Sequence, residues 1–163
     1  SVTTTAHQGQ NLSTNWLPPG EEVFLMLEFF FVFGKMRTMH EKEAVNGMIY
    51  GIGLDVTELD RITSAYERRS GFAERVLTEA ELKLFLVLSG SRQMEFLAGR
   101  YAAKEAFSKA YGTGIGKLSF QDIEILPGEY RKPEITKSPF EGKGFVSITH
   151  SGNIIAAQVV LEK

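Results

Sequence analysis

A long helical pattern in the second half of the chain limits the architectures open to it. Between about Gln93 and Tyr111 no proline interrupts the chain, and apolar residues recur at helical spacing. Glycines at positions 112, 114 and 116 follow and predict the end of this helix. It is the longest predicted element, and the shorter elements on either side of it decide the fold class.

The segments before this helix predict one strand and two shorter helices. The stretch Ile49–Leu54 alternates apolar residues with glycines, which is typical of a strand approached closely by another backbone or a ligand. We expect this strand to end at Asp55. Thr57 with Asp60 then predicts one helix start, and Thr78 with its glutamate three residues later predicts a capping box at the next.

The segments after the long helix predict an antiparallel sheet. Three stretches are rich in β-forming residues, and a Ser-Gly-Asn sequence between the last two predicts a hairpin turn. The strands are expected at 120–126, 145–150 and 154–161, with the turn at 151–153. Because these strands pair locally, we predict an α+β domain with helices packed on a small antiparallel sheet.

The first 47 residues differ in composition from the rest of the chain. They contain an apolar run from Val23 to Phe33 that is too short to span a bilayer and is interrupted by Glu28. No cationic stretch precedes the run and no small-residue cleavage pattern follows it, so a signal peptide is disfavoured. We interpret residues 1–47 as an appended leader, carried over from an expression vector or from upstream read-through, and residues 48–163 as one domain.

Composition excludes several classes of protein. The chain has no cysteine, which excludes disulfides and thiolate metal sites and favours a reducing cytoplasm. The formal net charge is −2, and from Met48 onward acidic and basic residues are equal in number. A globally basic nucleic-acid binder is therefore excluded, and any basic recognition surface must be local.

Three residues could carry chemistry on phosphates. Asp55 follows a glycine-bearing strand, where a carboxylate can meet a cation that also holds a phosphate, although such junctions also attract aspartate for turns. Glu105 and Lys109 share one face of the long helix. A surface ion pair of about 0.2–0.5 kcal/mol would explain their spacing. Alternatively, Glu105 binds magnesium and Lys109 neutralises phosphate oxygens, which suits a diphosphate substrate.

A glycine loop and a histidine add weaker candidates. Gly112, Thr113 and Gly114 can point backbone N–H groups at a phosphate, or can simply end the helix. His150 is the one histidine after Met48 and closes a strand just before a turn. It is either a packing and ligand-contacting residue or a catalytic base.

Two segments in this order resemble the holo-acyl-carrier-protein synthases, which are phosphopantetheinyl transferases. The segments are GIGLD at 51–55 and YAAKEAFSK at 101–109, and the resemblance extends from Met48 to the C-terminus through 72–75, 95–100 and 146–151. It implies transfer of the phosphopantetheine arm of coenzyme A to a serine of an acyl carrier protein, with Mg²⁺. It also implies a cytoplasmic homotrimer with active sites between subunits, in which residues 48–163 are the catalytic domain.

The resemblance also implies roles for individual residues. Asp55 and Glu105 are expected to bind magnesium, and Lys109 to contact the phosphates of coenzyme A. Each site would take Asp55 from one subunit and Glu105 with Lys109 from its neighbour. The base for the serine is expected to be a metal-ordered water, with His150 or a nearby carboxylate as alternatives. The family usually has Phe or Trp in place of Tyr101, and often Gly in place of Arg131.

Arginines at seven-residue spacing predict a docking surface. Arg61, Arg68 and Arg75 follow this spacing, and the first two share a face of the first short helix, where they could meet an acidic carrier protein. A solvated basic face is the alternative for these residues. For the whole chain the alternative is a non-catalytic module that binds nucleotide or nucleic acid through this helix and the glycine loop, although no nucleic-acid motif is present.

Overall fold

The structure, a computed structural model, describes residues 47–163, so the predicted leader lies outside the described residues except for Gly47. In this range helices pack on antiparallel strands, and the predicted α+β class is confirmed. The helices are α1 (Leu59–Arg68), α2 (Phe72–Val76), α3 (Glu79–Leu86) and α4 (Ser91–Tyr111). The strands are β1 (Ile49–Glu58), β2 (Glu124–Pro127), β3 (Pro133–Lys137), β4 (Lys143–Ser151) and β5 (Ile154–Glu162).

The main sheet has three strands in the order β1-β5-β4, all antiparallel to their neighbours. A tight turn joins β4 to β5: Ser151 pairs with Ile154, and Gly152 adopts a positive φ of 56°. The predicted hairpin is therefore confirmed. The short strands β2 and β3 form a separate two-stranded sheet. Strand β3 is not predicted from the sequence, because its five residues include no fully buried one and so carry little apolar pattern.

The core forms where α4 lies directly against β1 and β5. A Cβ placed on Gly51 or Gly53 would run into the carbonyl oxygen of Ala110 or Ala106, respectively. The glycines of β1 therefore mark a close approach of another backbone, as predicted. Small buried residues line this side of the helix and let the two backbones come together, among them Ala98, Ala102, Ala106 and Ala110.

Strand β1 is longer than predicted. Its pairing with β5 continues to Glu58, so Asp55 lies inside the strand and not at its end. Thr57, predicted to cap the first helix, is a buried strand residue with a hydroxyl that has no hydrogen-bond partner. The start of α1 is held instead from the β4–β5 turn, where Asn153 Oδ1 accepts a hydrogen bond from the Asp60 N–H at 3.1 Å. Long-range strand pairing thus overrides the local capping signal.

Two other predicted boundaries have different outcomes. The capping box of α3 is confirmed: the Glu81 N–H donates to the Thr78 hydroxyl, and the Thr78 N–H donates to the Glu81 carboxylate. The strand predicted from position 120 begins instead with a 3₁₀ turn at Phe120–Asp122, and β2 follows it. A serine and an aspartate form a second capping box at this turn, which favours a helical start over a strand.

Candidate active site

Strand β1 and helix α4 bring predicted site residues together. Lys109 Nζ donates to Asp55 Oδ1 at 2.8 Å and to the carbonyl oxygen of Leu54 at 3.0 Å, although Lys109 and Asp55 are 54 residues apart in sequence. The Asp55 side chain is 15% exposed and that of Lys109 is 51% exposed. A recessed carboxylate therefore lies beneath a long cationic side chain at the edge of the α4–β1 contact.

Glu105 faces the same cluster. Partial burial and the negative charge of Asp55 raise the pKa of Glu105, while Tyr101, Lys109 and Arg61 act in the opposite direction. Two carboxylates thus share one small region, and a divalent cation would relieve their repulsion. The ion pair that Lys109 forms is with Asp55, so a simple Glu105–Lys109 surface pair does not explain the helix spacing.

One chain contains all three of these residues. The resemblance implied that Asp55 would come from one subunit and Glu105 with Lys109 from its neighbour, and this division is wrong, since the Asp55–Lys109 contact forms within a single chain. The reason is the antiparallel placement of α4 along β1, which the sequence did not reveal. Gly51 and Gly53 contact the last turns of α4, so Asp55 lies further back along the helix, beside Glu105.

A basic groove of about 300 Å³ adjoins the cluster. Arg61 and Arg68 of α1 line it together, as their seven-residue spacing predicted, whereas Arg75 on α2 does not line it. Arg69 lines it as well, and no spacing argument selected this residue. Tyr101, four residues before Glu105, forms part of the wall and connects the groove to the carboxylates.

Residues 51–160 match the 4'-phosphopantetheinyl transferase superfamily. The chain belongs to this superfamily. It is 62% identical over 117 residues to a holo-[acyl-carrier-protein] synthase of Streptococcus agalactiae, a match that covers 71% of this chain and 98% of that protein. The predicted resemblance is confirmed, and the chain is an enzyme, a phosphopantetheinyl transferase. The alternative prediction for the whole chain, a non-catalytic module that binds nucleotide or nucleic acid, is therefore wrong.

Solved structures of similar transferases share this fold. A holo-(acyl-carrier-protein) synthase from Bacillus anthracis, in complex with CoA (3',5'-ADP), is 50% identical with a TM-score of 0.67, covering 71% of this chain and 98% of that one. A synthase from Helicobacter pylori, in complex with coenzyme A, is 34% identical with a TM-score of 0.58, covering 68% and 99%.

The carboxylates of the transferase fit a magnesium ion. Asp55 and Glu105 are hard oxygen donors of the kind Mg²⁺ prefers, and their mutual repulsion is what a cation would offset. Among residues 47–163 no group of three or more His, Asp or Glu side chains could hold a metal. The donor set therefore suits an ion that is held through two carboxylates and completed by substrate phosphates, rather than an all-protein cage.

The backbone donors of the glycine loop make hydrogen bonds within the chain. The N–H groups of Gly112, Thr113 and Gly114 all donate to the carbonyl oxygen of Ser108, at 3.0, 3.2 and 3.3 Å. Gly112 has a φ of 86° and ends α4, where the partial charge of the helix is negative and disfavours an anion. In the described chain these N–H groups end the helix, and contact of Gly112, Thr113 and Gly114 with coenzyme A stays a prediction.

His150 stands apart from the carboxylates within one chain. It is exposed on β4, and β5 separates β4 from β1, so two inter-strand spacings of about 4.8 Å lie between the strands. Its pairing partner is Ile155, which pairs in turn with Thr57 and not with Asp55. A single chain thus does not bring His150 to Asp55 and Glu105.

Lys104 has no role predicted from the sequence, although it lies inside the family-like segment at 101–109. Its side chain is fully buried and lies 2.6 Å from the equally buried Glu81 of α3. The only sequence signal for this pair was the capping box that contains Glu81. In the described part of the chain, no helix is both long and apolar enough to cross a membrane.

Proposed function

We propose that the transferase moves phosphopantetheine from coenzyme A to a serine hydroxyl of an apo-acyl carrier protein, releases adenosine 3',5'-bisphosphate and depends on Mg²⁺. The observation that carries this proposal is the single-chain cluster of Asp55, Glu105 and Lys109 beside a basic groove. Coenzyme A as the donor is supported by the relatives from Bacillus anthracis and Helicobacter pylori, which are complexes with it or with part of it.

The three residues of the cluster would have different roles, according to their charge. Asp55 and Glu105 would hold Mg²⁺, and Lys109 would bind phosphate oxygens of the donor. The chemistry that the ion supplies when bound is neutralisation of the diphosphate and of the charge on the departing bisphosphate. Lys109 forms an ion pair with Asp55 in the structure. Because its side chain is half-exposed, a change of rotamer could bring the ammonium to a phosphate without passing through the core. Its ammonium would add to the stabilisation of the leaving group.

The reaction also requires a path for one proton. The serine oxygen attacks the phosphorus next to the pantetheine arm, the bond from that phosphorus to the bridging oxygen breaks, and the serine proton must leave. We assign the proton to an ordered water, with a site carboxylate or His150 as alternatives; because His150 lies two strands away within one chain, a neighbouring subunit would have to supply it. Contact of Gly112, Thr113, Gly114 and His150 with coenzyme A stays a prediction. Docking of the carrier protein at Arg75 also stays a prediction.

The basic groove is the proposed docking surface for the carrier protein. Arg61, Arg68 and Arg69 line it and are exposed, so they can attract an acidic partner at long range and orient it. Tyr101 extends the groove to the carboxylates. A serine on the docked partner would thus enter beside the reacting diphosphate.

We also propose that the transferase acts as a homotrimer in the cytoplasm. The outer face of β1 exposes apolar side chains in a row: Ile52 and Leu54 are each 58% exposed and Val56 is 56% exposed. Phe145 extends the row across the sheet, since it pairs through Val160 with Ile52 and is 47% exposed. An apolar face of this kind supports burial against further copies of the chain.

The test is a magnesium titration of transfer by variants of the two carboxylates. Apo-acyl carrier protein of Streptococcus agalactiae is incubated with coenzyme A, and its mass gain is followed by mass spectrometry. Asp55→Ala and Glu105→Gln should each lower turnover by about 100-fold or more, with partial recovery at high magnesium and with losses that are far from additive.

Thermal melts accompany the titration, and Glu79→Gln is the control. Glu79 forms an exposed ion pair with Lys83 on α3, so its loss should change neither turnover nor the melting temperature. Full activity of either site variant would remove that carboxylate from the magnesium site. Absence of any mass gain with the wild-type protein would contradict the proposed function itself.

A further inference from the structure

A fully buried ion pair lies beside the site but takes no part in it. Lys104 Nζ and Glu81 Oε2 are 2.6 Å apart, and neither side chain has exposed surface. Lys104 precedes Glu105 on α4 but lies about 100° further around the helix, on a different side. The roles proposed above for Asp55, Glu105 and Lys109 leave this pair unexplained.

Every hydrogen of the Lys104 ammonium has an acceptor. Besides Glu81, these are the carbonyl oxygens of Val76 at 2.7 Å and Phe120 at 3.0 Å. Glu81 also accepts a hydrogen bond from the Ile125 N–H at 2.9 Å. A buried ion pair contributes little net stability compared with apolar side chains of similar volume, so its value lies in the arrangement that it imposes.

The pair attaches two very short elements to the middle of α4. Val76 is the last residue of the five-residue α2, and Phe120 begins the three-residue 3₁₀ turn. Helices of this length are not stable by themselves, so external contacts determine where they lie. Gln121 provides a second attachment between them, because its side-chain amide donates to the carbonyls of Glu74 and Leu77, both at 2.7 Å.

These two elements support the wall of the basic groove. Phe72 begins α2, lines the groove and stacks on Tyr101, with ring centroids 6.3 Å apart and planes at 26°. The Phe120 ring also contacts Tyr101, with ring centroids 5.3 Å apart. The three aromatic rings therefore link α2 and the 3₁₀ turn, both of which bond to Lys104, to the wall between the groove and the carboxylates.

We propose that Glu81 and Lys104 are positioning residues for carrier-protein docking. They hold α2 and the 3₁₀ turn at the distance from Asp55 and Glu105 at which a docked serine can reach the diphosphate. This inference rests on the proposed function. The coenzyme A side of the site is built by β1 and α4, whose contact is made by backbone and small residues and does not include the pair.

The test is the double variant Glu81→Gln/Lys104→Met in the full chain. It removes both charges of the Lys104–Glu81 pair together. Arg100, whose Nε lies 4.0 Å from Glu81 Oε1, loses this carboxylate but keeps its hydrogen bond to the Ile125 carbonyl, and the amide oxygen introduced at position 81 can still accept from the Thr78 N–H. The measurements are KM for the carrier protein, KM for coenzyme A, kcat and the melting temperature, with the Streptococcus agalactiae carrier as probe. We expect KM for the carrier to rise at least about tenfold, while KM for coenzyme A and kcat stay within about twofold.

A second variant keeps the proposal testable if the double variant does not fold. Gln121→Ala removes only the outer attachment of α2 and should raise KM for the carrier about threefold, again without changing KM for coenzyme A. Lys83→Ala, at an exposed ion pair on α3, is the control and should change none of these quantities.

The outcomes separate the two proposals. An unchanged KM for the carrier in the folded double variant would overturn the positioning role. Equal rises in KM for the carrier and KM for coenzyme A, in proportion to a lowered melting temperature, would overturn it as well. If the double variant does not fold, an unchanged KM for the carrier in Gln121→Ala overturns it. Wild-type protein without transfer activity would instead contradict the proposed function.

Discussion

At the scale of single residues, the contact of the Lys109 ammonium with Asp55 influences how strongly the site binds a cation. The ammonium donates to Asp55 at 2.8 Å and to the Leu54 carbonyl at 3.0 Å, so it occupies oxygen atoms that face the cluster. A partly exposed contact of this kind contributes at most about 1 kcal/mol. It is strong enough to influence cation binding and weak enough to be released when a diphosphate binds.

We therefore expect Lys109→Met to bind a divalent cation more tightly in the absence of coenzyme A. Removal of the ammonium frees the Asp55 carboxylate, and the expected gain is about two- to fivefold, equivalent to roughly 0.4–1 kcal/mol. Turnover should fall, since the phosphates lose a cationic partner. Mn²⁺ binding followed by electron paramagnetic resonance measures the affinity, and Lys83→Met is the matched exposed control. Equal or weaker Mn²⁺ binding in Lys109→Met would contradict this role.

Glu105 should make the stability of the metal-free protein dependent on pH. Its pKa is raised by partial burial and by Asp55, so the folded protein holds this proton more strongly than the unfolded protein does. The free energy of unfolding contributed by Glu105 therefore falls as pH rises from the ordinary glutamate range through the raised pKa. In Glu105→Gln this contribution is absent.

The comparison is urea denaturation of wild type and Glu105→Gln, with chelator present, between about pH 4 and about pH 8. The stability of wild type relative to Glu105→Gln should decline across this range. A parallel pH dependence of the two proteins would show that Glu105 has an ordinary pKa.

At the scale of elements, the close contact of β1 with α4 decides whether the site can form. Gly51 and Gly53 lie against carbonyl oxygens of α4, and the same strand carries Asp55 two residues further on. If β1 were shifted by one residue along α4, the Asp55 side chain would point away from Glu105 and Lys109, because strand side chains alternate between faces. The position of α4 is thus a condition for the chemistry and not only for the core.

Gly53→Ala should be strongly destabilising and Gly99→Ala should not. At Gly53 the new methyl group would run into the Ala106 carbonyl oxygen, which is backbone and cannot rotate away, so we expect a loss of about 3 kcal/mol or more. At Gly99 the nearest atom is a methyl carbon of Ile148 at 3.3 Å, and alanine favours the helix by about 1 kcal/mol. Urea denaturation of both variants measures the difference; similar losses in the two would contradict the backbone contact.

At the scale of the whole molecule, a single chain leaves the apolar outer face of β1 exposed to solvent. Ile52, Leu54 and Val56 stand on the side of the sheet away from α4. We expect Leu54→Lys to dissociate the proposed homotrimer into monomers, because it places a charge in the middle of that face. Sedimentation velocity measures the change. Leu86→Lys, at an equally exposed site on α3, is the control and should leave the assembly intact.

We further expect residues 1–47 to be dispensable for transfer. All of the residues proposed for the site lie after Met48, and the Streptococcus agalactiae relative aligns with 71% of this chain while covering 98% of its own length. Protein that starts at Met48 should retain turnover within about twofold. Mass gain on the carrier protein measures this, and lost activity in a shortened protein with an unchanged melting temperature and assembly would give the leader a function.

The sequence alone determined the fold class, the α3 capping box, the β4–β5 hairpin and the long helix with its glycine end, because each depends on residues close together in the chain. It also identified the two segments that carry the family resemblance. Local pattern selected Asp55, Glu105 and Lys109 as types of residue suited to a diphosphate and placed Glu105 and Lys109 on one helix face, but it did not place Asp55 beside them.

Tertiary structure decided the features that depend on distant partners. Pairing of β1 with β5 drew Thr57 and Asp55 into the strand, against a local capping signal. The N–H groups of the glycine loop donate to the Ser108 carbonyl oxygen, because the last carbonyl groups of a helix lack donors within the helix. The partnership of Lys104 with Glu81 joins residues 23 apart, and helical periodicity identifies a face but not what that face will meet.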